Sequence, residues 1–264
     1  PNAEGAVASF TTLNVTREGA VVVVTLDRPQ RRNALDATML SELTALWGGH
    51  ELLDGARCVV VTGAGPGFCA GADVDLLASD REPVALVEDE LAFLPGRRIE
   101  IPVIAAINGV CAGGGLHFVA DADIVLASDA ASFLDPHVSV GQVTALEPLT
   151  LRLRMRPDAL MRMVLLGRDE RLDAAAAQAA GIVSEVVAPD ALLPRALELA
   201  GRVAAGSPEA IRISRAALRR FEDELLERHL QAGWEAIHAH WAHPDAAEGP
   251  AAFQERREPR WVQR

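Results

Sequence analysis

The sequence predicts an α/β fold with a helical C-terminal extension. Short runs rich in β-branched residues recur through the first half of the chain. Helical patterns lie between those runs, and after about residue 145 helical patterns dominate.

Val21-Val22-Val23-Val24-Thr25-Leu26 is an apolar run expected to form a buried strand, with a turn at Asp27-Arg28-Pro29. Asp36 is a good N-cap for a helix carrying Leu40, Leu43 and Trp47 on one face, stopped by Gly48-Gly49. Further strands are expected at 57–62, 103–107 and 124–127, with a short one at 132–134. Helices follow at 158–166 and at 173–180, the latter closed by Gly181. A strand at 182–187 precedes three helical stretches at 190–205, 208–220 and 222–240. No repeat of fixed period and no long linker marks a boundary.

The chain has 264 residues, half of them hydrophobic, which suits one sizeable domain or one with a small appendage. The net charge of −12 gives no support to nucleic-acid binding. No apolar run approaches the ~18 residues of a membrane helix, and the N-terminus shows no signal-peptide pattern, so neither is expected. Cys58, Cys69 and Cys111 are odd in number and lack metal-ligand spacing, which favours a reducing cytoplasm. All 25 basic residues are arginine, so a Schiff-base lysine mechanism is excluded in this chain.

Two glycine-bearing loops follow buried strands, Phe68-Cys69-Ala70-Gly71-Ala72-Asp73 and Asn108-Gly109-Val110-Cys111-Ala112-Gly113-Gly114-Gly115. Triple glycine permits a backbone path that side chains would block, and N–H groups freed at a helix start can hold a developing oxyanion. The same glycines also suit a tight turn or close helix–strand packing. Neither loop ends in the Gly-Lys-Ser/Thr of a P-loop.

These loops carry a resemblance that spans nearly the whole chain. Leu26-Asp27-Arg28-Pro29 with Asn33-Ala34-Leu35, Val60-Val61-Thr62-Gly63, the two glycine loops, Pro102 to Ile107, Ala120 to Ile124, Leu165 to Arg168 with Ala180 to Val183, and Glu248 to Arg257 stand in the order seen in one family. The sequence resembles the enoyl-CoA hydratase/isomerase (crotonase) superfamily. The resemblance implies a spiral of ββα units, as in ClpP-like folds, over residues 1–195. It implies a helical region at 196–264 that builds trimers or dimers of trimers. It also implies an acyl-CoA substrate whose thioester carbonyl sits between the N–H groups of Ala72 and Gly114. Ala70 and Val74 lie where the family's loop meets the adenine of the coenzyme, and Arg31 and Arg32 where the chain approaches its phosphates. Forked, charge-assisted hydrogen bonds suit arginine to that role, although both also fit as plain surface charges. Coenzyme A enters only as part of the substrate; no separate cofactor and no metal is expected.

One departure bears on the chemistry. A typical hydratase of the family carries two glutamates, one two residues after the triple glycine and one after a proline about twenty residues on. Here those positions hold His117 and His137, and the loop that follows reads Gly141-Gln142-Val143-Thr144-Ala145-Leu146-Glu147-Pro148. Two histidines can act as acid and base near neutral pH, with one protonated and one neutral. They can hydrate an enoyl thioester, activate water as in the family's thioester and β-dicarbonyl hydrolases, or fill the pocket of a protein that only binds acyl-CoA. Glu147 is a further carboxylate for the site, or simply an acid at a helix start. Asp73 is expected to shape its loop. His229, His238, His240 and His243 lie on or just after a C-terminal helix, and His240 and His243, with no third metal ligand nearby, are expected to form a solvated helix end.

Overall fold

The computed structural model describes residues 10–49, 51–73, 76, 84–96 and 98–262. Its strands are β1 (Leu13–Glu18), β2 (Val21–Leu26), β3 (Cys58–Gly63), β4 (Gly67–Cys69), β5 (Val103–Ile107), β6 (Val110–Ala112), β7 (Ile124–Ser128), β8 (Ser132–Leu134), β9 (Leu172–Asp173) and β10 (Glu185–Val187). Its helices are α1 (Ala37–Trp47), α2 (Val87–Glu90), α3 (Leu116–Asp121), α4 (Leu146–Leu151), α5 (Pro157–Leu166), α6 (Ala174–Ala180), α7 (Leu192–Ala205), α8 (Pro208–Trp241) and α9 (Pro244–Glu255).

A six-stranded sheet has the order β1-β2-β3-β5-β7-β10, and a four-stranded sheet the order β4-β6-β8-β9. Each of β3, β5 and β7 is followed by a short strand of the smaller sheet. The long strands pair in parallel with each other, as do the short ones. The chain therefore winds as a spiral in which every turn adds one strand to each sheet. A strand buried on both faces has no polar side, and so its sequence is a continuous apolar run. In β2, Val22 and Val24 face the main core, whereas Val21 and Val23 face a second core closed by Leu192, Ala196 and Ala200 of α7. The division expected at 195/196 falls inside that helix.

Several boundaries differ from the sequence-based ones. The expected strand at 182–187 begins only at Glu185, because the Ile182 N–H bonds the Ala177 carbonyl and closes α6. The stretches expected at 208–220 and 222–240 are one helix of 34 residues, since no proline or glycine stands near Phe221 to break it. Leu226, Leu230 and Trp234 of that helix are buried against Val87 and Leu146 of the same chain. Helix α9 carries Gly249 against the Val140 carbonyl, where a Cβ would overlap the oxygen. The C-terminal helices thus close over the same chain's 137–150 segment. No helix among the described residues is long and apolar enough to cross a membrane.

Candidate active site

The spiral brings the two glycine loops side by side. β4 and β6 run in parallel, pairing Gly67 with Val110 and Cys69 with Cys111, so residues 70–73 and 113–115 leave the small sheet together. Leu35 bridges to Ala72: its N–H bonds the Gly71 carbonyl at 2.8 Å, and its own carbonyl accepts from Asp73 N–H at 2.8 Å. That parallel pattern uses the groups on either side of Ala72 and leaves the Ala72 N–H outside it. Gly113–Gly115 form a 3-10 turn leading into α3, whose first N–H groups have no acceptor within the helix. Gly71 has φ +91, and a Cβ there would lie 2.9 Å from the Ala112 carbonyl and 3.4 Å from the Gly114 nitrogen. A Cβ on Gly114 would lie 3.8 Å from the Ala72 nitrogen. The two predicted N–H positions are neighbours because glycine lets the backbones touch.

The remaining loop residues sit around them. The Ala70 N–H bonds the Arg32 carbonyl at 3.0 Å, so half-buried Ala70 is tied to the segment carrying Arg31 and Arg32, both exposed. Val74 lies outside the described residues. Asp73 is buried and paired with Arg28 at 3.0 Å, while the same guanidinium reaches Asp36 at 3.1 Å. Asp73 therefore shapes the loop, as its sequence position suggests.

His117 is the second residue of α3 and is buried. His137 opens a 3-10 turn and is about a quarter exposed, with its Cε1 3.5 Å from where a Gly113 Cβ would stand. Between the two rings lies Glu147, buried in the first turn of α4. Its Oε1 is 3.2 Å from His117 Nε2 and 3.9 Å from His137 Nε2. On the far side of His137, Asp135 Oδ1 sits 2.5 Å from Nδ1, and the Thr144 hydroxyl donates to Asp135 Oδ2 at 2.5 Å. Burial alone would lower the His137 pKa, but the charges of Glu147 and Asp135 outweigh it and raise it to about 9. Burial would raise the Glu147 carboxyl, yet the two imidazoles hold it well below the usual carboxylate range. Glu147 is therefore ionised at neutral pH, and His137 is an imidazolium. His117 Nδ1 is buried with no hydrogen-bond partner among the described residues.

The structure thus joins His117 and His137 through a carboxylate that the sequence left between two readings. Glu147 is both an acid at a helix start and the link between the histidines. Asp135, two residues before His137 in the Asp-Pro-His run, is a carboxylate that the sequence offered as able to raise an imidazole pKa; Thr144 carried no such signal. The C-terminal histidines need a correction. His240 Nε2 bonds the Gly141 carbonyl at 2.8 Å and is built into the packing, whereas His243 is exposed; His238 packs between Trp234 and Trp241. Among the described residues no group of three or more His, Cys, Asp or Glu side chains could hold a metal ion.

The comparison with known proteins agrees with this architecture. The family model for enoyl-CoA hydratase/isomerase matches residues 16–264. A mevalonyl-coenzyme A hydratase from Aspergillus fumigatus is 32% identical, covering 99% of this chain and 96% of that protein. A probable enoyl-CoA hydratase from Rhizobium meliloti is 33% identical over 94% of this chain and 97% of its own length. Among solved structures, an enoyl-CoA hydratase/isomerase from Pseudoalteromonas atlantica superposes with a TM-score of 0.83 at 29% identity, covering 95% of this chain and all of that one. With its spiral of paired strands, its two touching glycine loops and a match over nearly its full length, this chain belongs to the enoyl-CoA hydratase/isomerase family and is an enzyme of that family.

Proposed function

We propose that the protein is a hydratase-like lyase acting on an acyl-CoA thioester, with an imidazole–carboxylate–imidazole group in place of a glutamate pair. The observation that carries this reading is Glu147 held between His117 and His137 beside the Gly113–Gly115 turn. The thioester carbonyl sits between the N–H groups of Ala72 and Gly114, which stabilise the enolate oxygen as charge develops. Ala70 lies along the adenine, and Arg31 and Arg32 meet the phosphates of the coenzyme.

The two histidines divide the proton work. His117, held through Nε2 against Glu147 Oε1 at 3.2 Å, is the group that takes a proton from water, and Glu147 orients its ring. His137, charged at neutral pH, is the acid. In hydration of a 2-enoyl thioester, the water O–H bond breaks toward His117 and a C–O bond forms at Cβ. The π electrons move into the enolate, and Cα then takes a proton from His137. A carboxylate with a depressed pKa is a weak base, which is why Glu147 is assigned the orienting role.

Assembly and location complete the proposal. Leu218, Phe221 and Leu225 form an exposed apolar row on α8, at 68%, 62% and 45% exposure, and this row supports a trimer or a dimer of trimers. Three free, buried cysteines suit a cytoplasmic protein. A panel of 2-enoyl-CoA, saturated acyl-CoA and β-diketone compounds tests the function. Loss of the enoyl absorbance with coenzyme A still attached supports it. Release of free thiol, or cleavage of the diketone, identifies a hydrolase instead.

A further inference from the structure

A cavity of about 560 Å³ opens beside His117, within the size range of small-molecule sites. Val87, Leu91, Leu94, Leu153 and Leu226 give it apolar walls, and Arg154 lines it together with His117. Arg154 is half-buried. One of its terminal nitrogens donates to the Ala122 carbonyl, and no carboxylate among the described residues forms an ion pair with it. The other charged groups inside the cavity are engaged. Arg219 binds Asp123 at 2.9 Å and Glu222 at 3.3 Å. Asp121 accepts from the Gly96 N–H, and Asp223 is likewise partnered. Arg98, Glu88 and Glu227 are exposed at the mouth. Among the described residues, Arg154 is therefore the interior cation with donors to spare. Burial lowers its pKa, as does the neighbouring Arg219 charge, against partial relief from Glu222, Asp123 and Asp121. An arginine does not deprotonate in response; it gains from an anion instead.

We infer that Arg154 forms a subsite for a carboxylate at the far end of the acyl group, so that the substrate class is the mono-CoA thioester of a short dicarboxylic acid. The inference rests on the acyl-CoA reading above and adds the identity of the acyl group. Ala122 is the extended residue that caps the C-terminal end of α3, four residues of helix after His117. At about 1.5 Å of rise per residue, those four steps span roughly 6 Å of the helix axis, and the anchored guanidinium lies past that end. A spacer of a few carbons along the apolar walls would join the reacting carbons to the carboxylate. Two of the five N–H donors of arginine suffice for a forked contact, and those remain after the bond to Ala122.

The test is calorimetric binding of length-matched thioesters to the full chain, with pentanoyl-CoA and hexanoyl-CoA against glutaryl-CoA and adipoyl-CoA. The carboxylate-bearing thioesters should bind about tenfold tighter or better, the usual return of a charge-assisted hydrogen bond. In Arg154→Gln, which keeps an amide donor for the Ala122 carbonyl, that preference should collapse to within about twofold. Equal affinity in the wild-type protein overturns the inference, even if the variant does not fold. So does a preference that survives Arg154→Gln, or tighter binding of an ammonium-ended thioester such as 4-aminobutyryl-CoA. Failure of every thioester to bind overturns the acyl-CoA reading itself, and the inference falls with it.

Discussion

Glu147 Oε1 lies 3.2 Å from His117 Nε2, inside the protein and 30 positions away in sequence. The same oxygen faces His137 at 3.9 Å, so one carboxylate serves two rings. Removing its charge should change both. In Glu147→Gln the largest force raising the His137 pKa is lost, so the alkaline limb of the rate profile should move below its wild-type position near pH 9. Turnover at neutral pH should fall by about 10²–10⁴, the range for groups that support acid–base catalysis. A pH profile of kcat on the best substrate of the panel checks both effects; an unmoved alkaline limb would separate Glu147 from His137.

Asp135 should act on His137 alone. Its carboxyl bonds Nδ1 at 2.5 Å and is itself held by Thr144. Asp135→Asn removes one charge but keeps an acceptor, so the His137 pKa should fall from about 9 toward its ordinary value of 6.5. Titration of the imidazole Cε1 proton by NMR reads this directly. Thr144→Val should lower it less, since the Asp135 charge remains.

The same pair sets a stability window. The folded pKa of His137, about 9, lies above its ordinary value of 6.5. Its contribution to stability is therefore complete below pH 6.5, fades between 6.5 and 9, and is absent above. Glu147 works in the opposite sense: its folded pKa lies below the ordinary 4.5, so its contribution holds above that value and fades as pH falls further. Denaturant unfolding from pH 6 to about pH 10 should show wild type losing stability relative to His137→Gln as pH rises. A constant difference across that range would mean that His137 does not titrate between the two states.

The oxyanion positions make a separate prediction. Gly114→Pro deletes one N–H at the place where the two loops touch. If the variant folds, as judged by circular dichroism and its melting curve, kcat should drop by about 10²–10³. Normal turnover in a folded Gly114→Pro protein would rule out Gly114 as a donor.

The large sheet was legible in the sequence because burial on both faces turns β2, β3 and β5 into unbroken apolar runs. β4 and β6 were not, since each lies inside a glycine-bearing segment that looks like a loop. The positions of Ala72, Gly114, His117 and His137 were proposed from the resemblance and its spacing. The link among the histidines was not, because Glu147 reaches them only after α4 folds back beside α3. Its burial is a tertiary fact, and an acid before Pro148 looks locally like any helix start. The trimer-building surface implied for residues 196–264 is not Leu226, Leu230 and Trp234, which are buried against Val87 and Leu146 of the same chain. Outward residues of α8 such as Phe221 are left for a neighbour, and light scattering at micromolar concentration should give a trimer or hexamer mass, where a monomer would contradict the proposed assembly.

The central claim is that this site forms a thioester enolate by moving a proton at Cα. Deuterium exchange tests it whatever the acyl group is. Saturated, 2-enoyl and 3-hydroxyacyl thioesters are incubated with the protein in D₂O and analysed by mass spectrometry. The account predicts enzyme-dependent deuterium at Cα of at least one thioester, slowed by about 10² or more in His137→Gln. A thioester that binds tightly while none of the panel exchanges at Cα would contradict it.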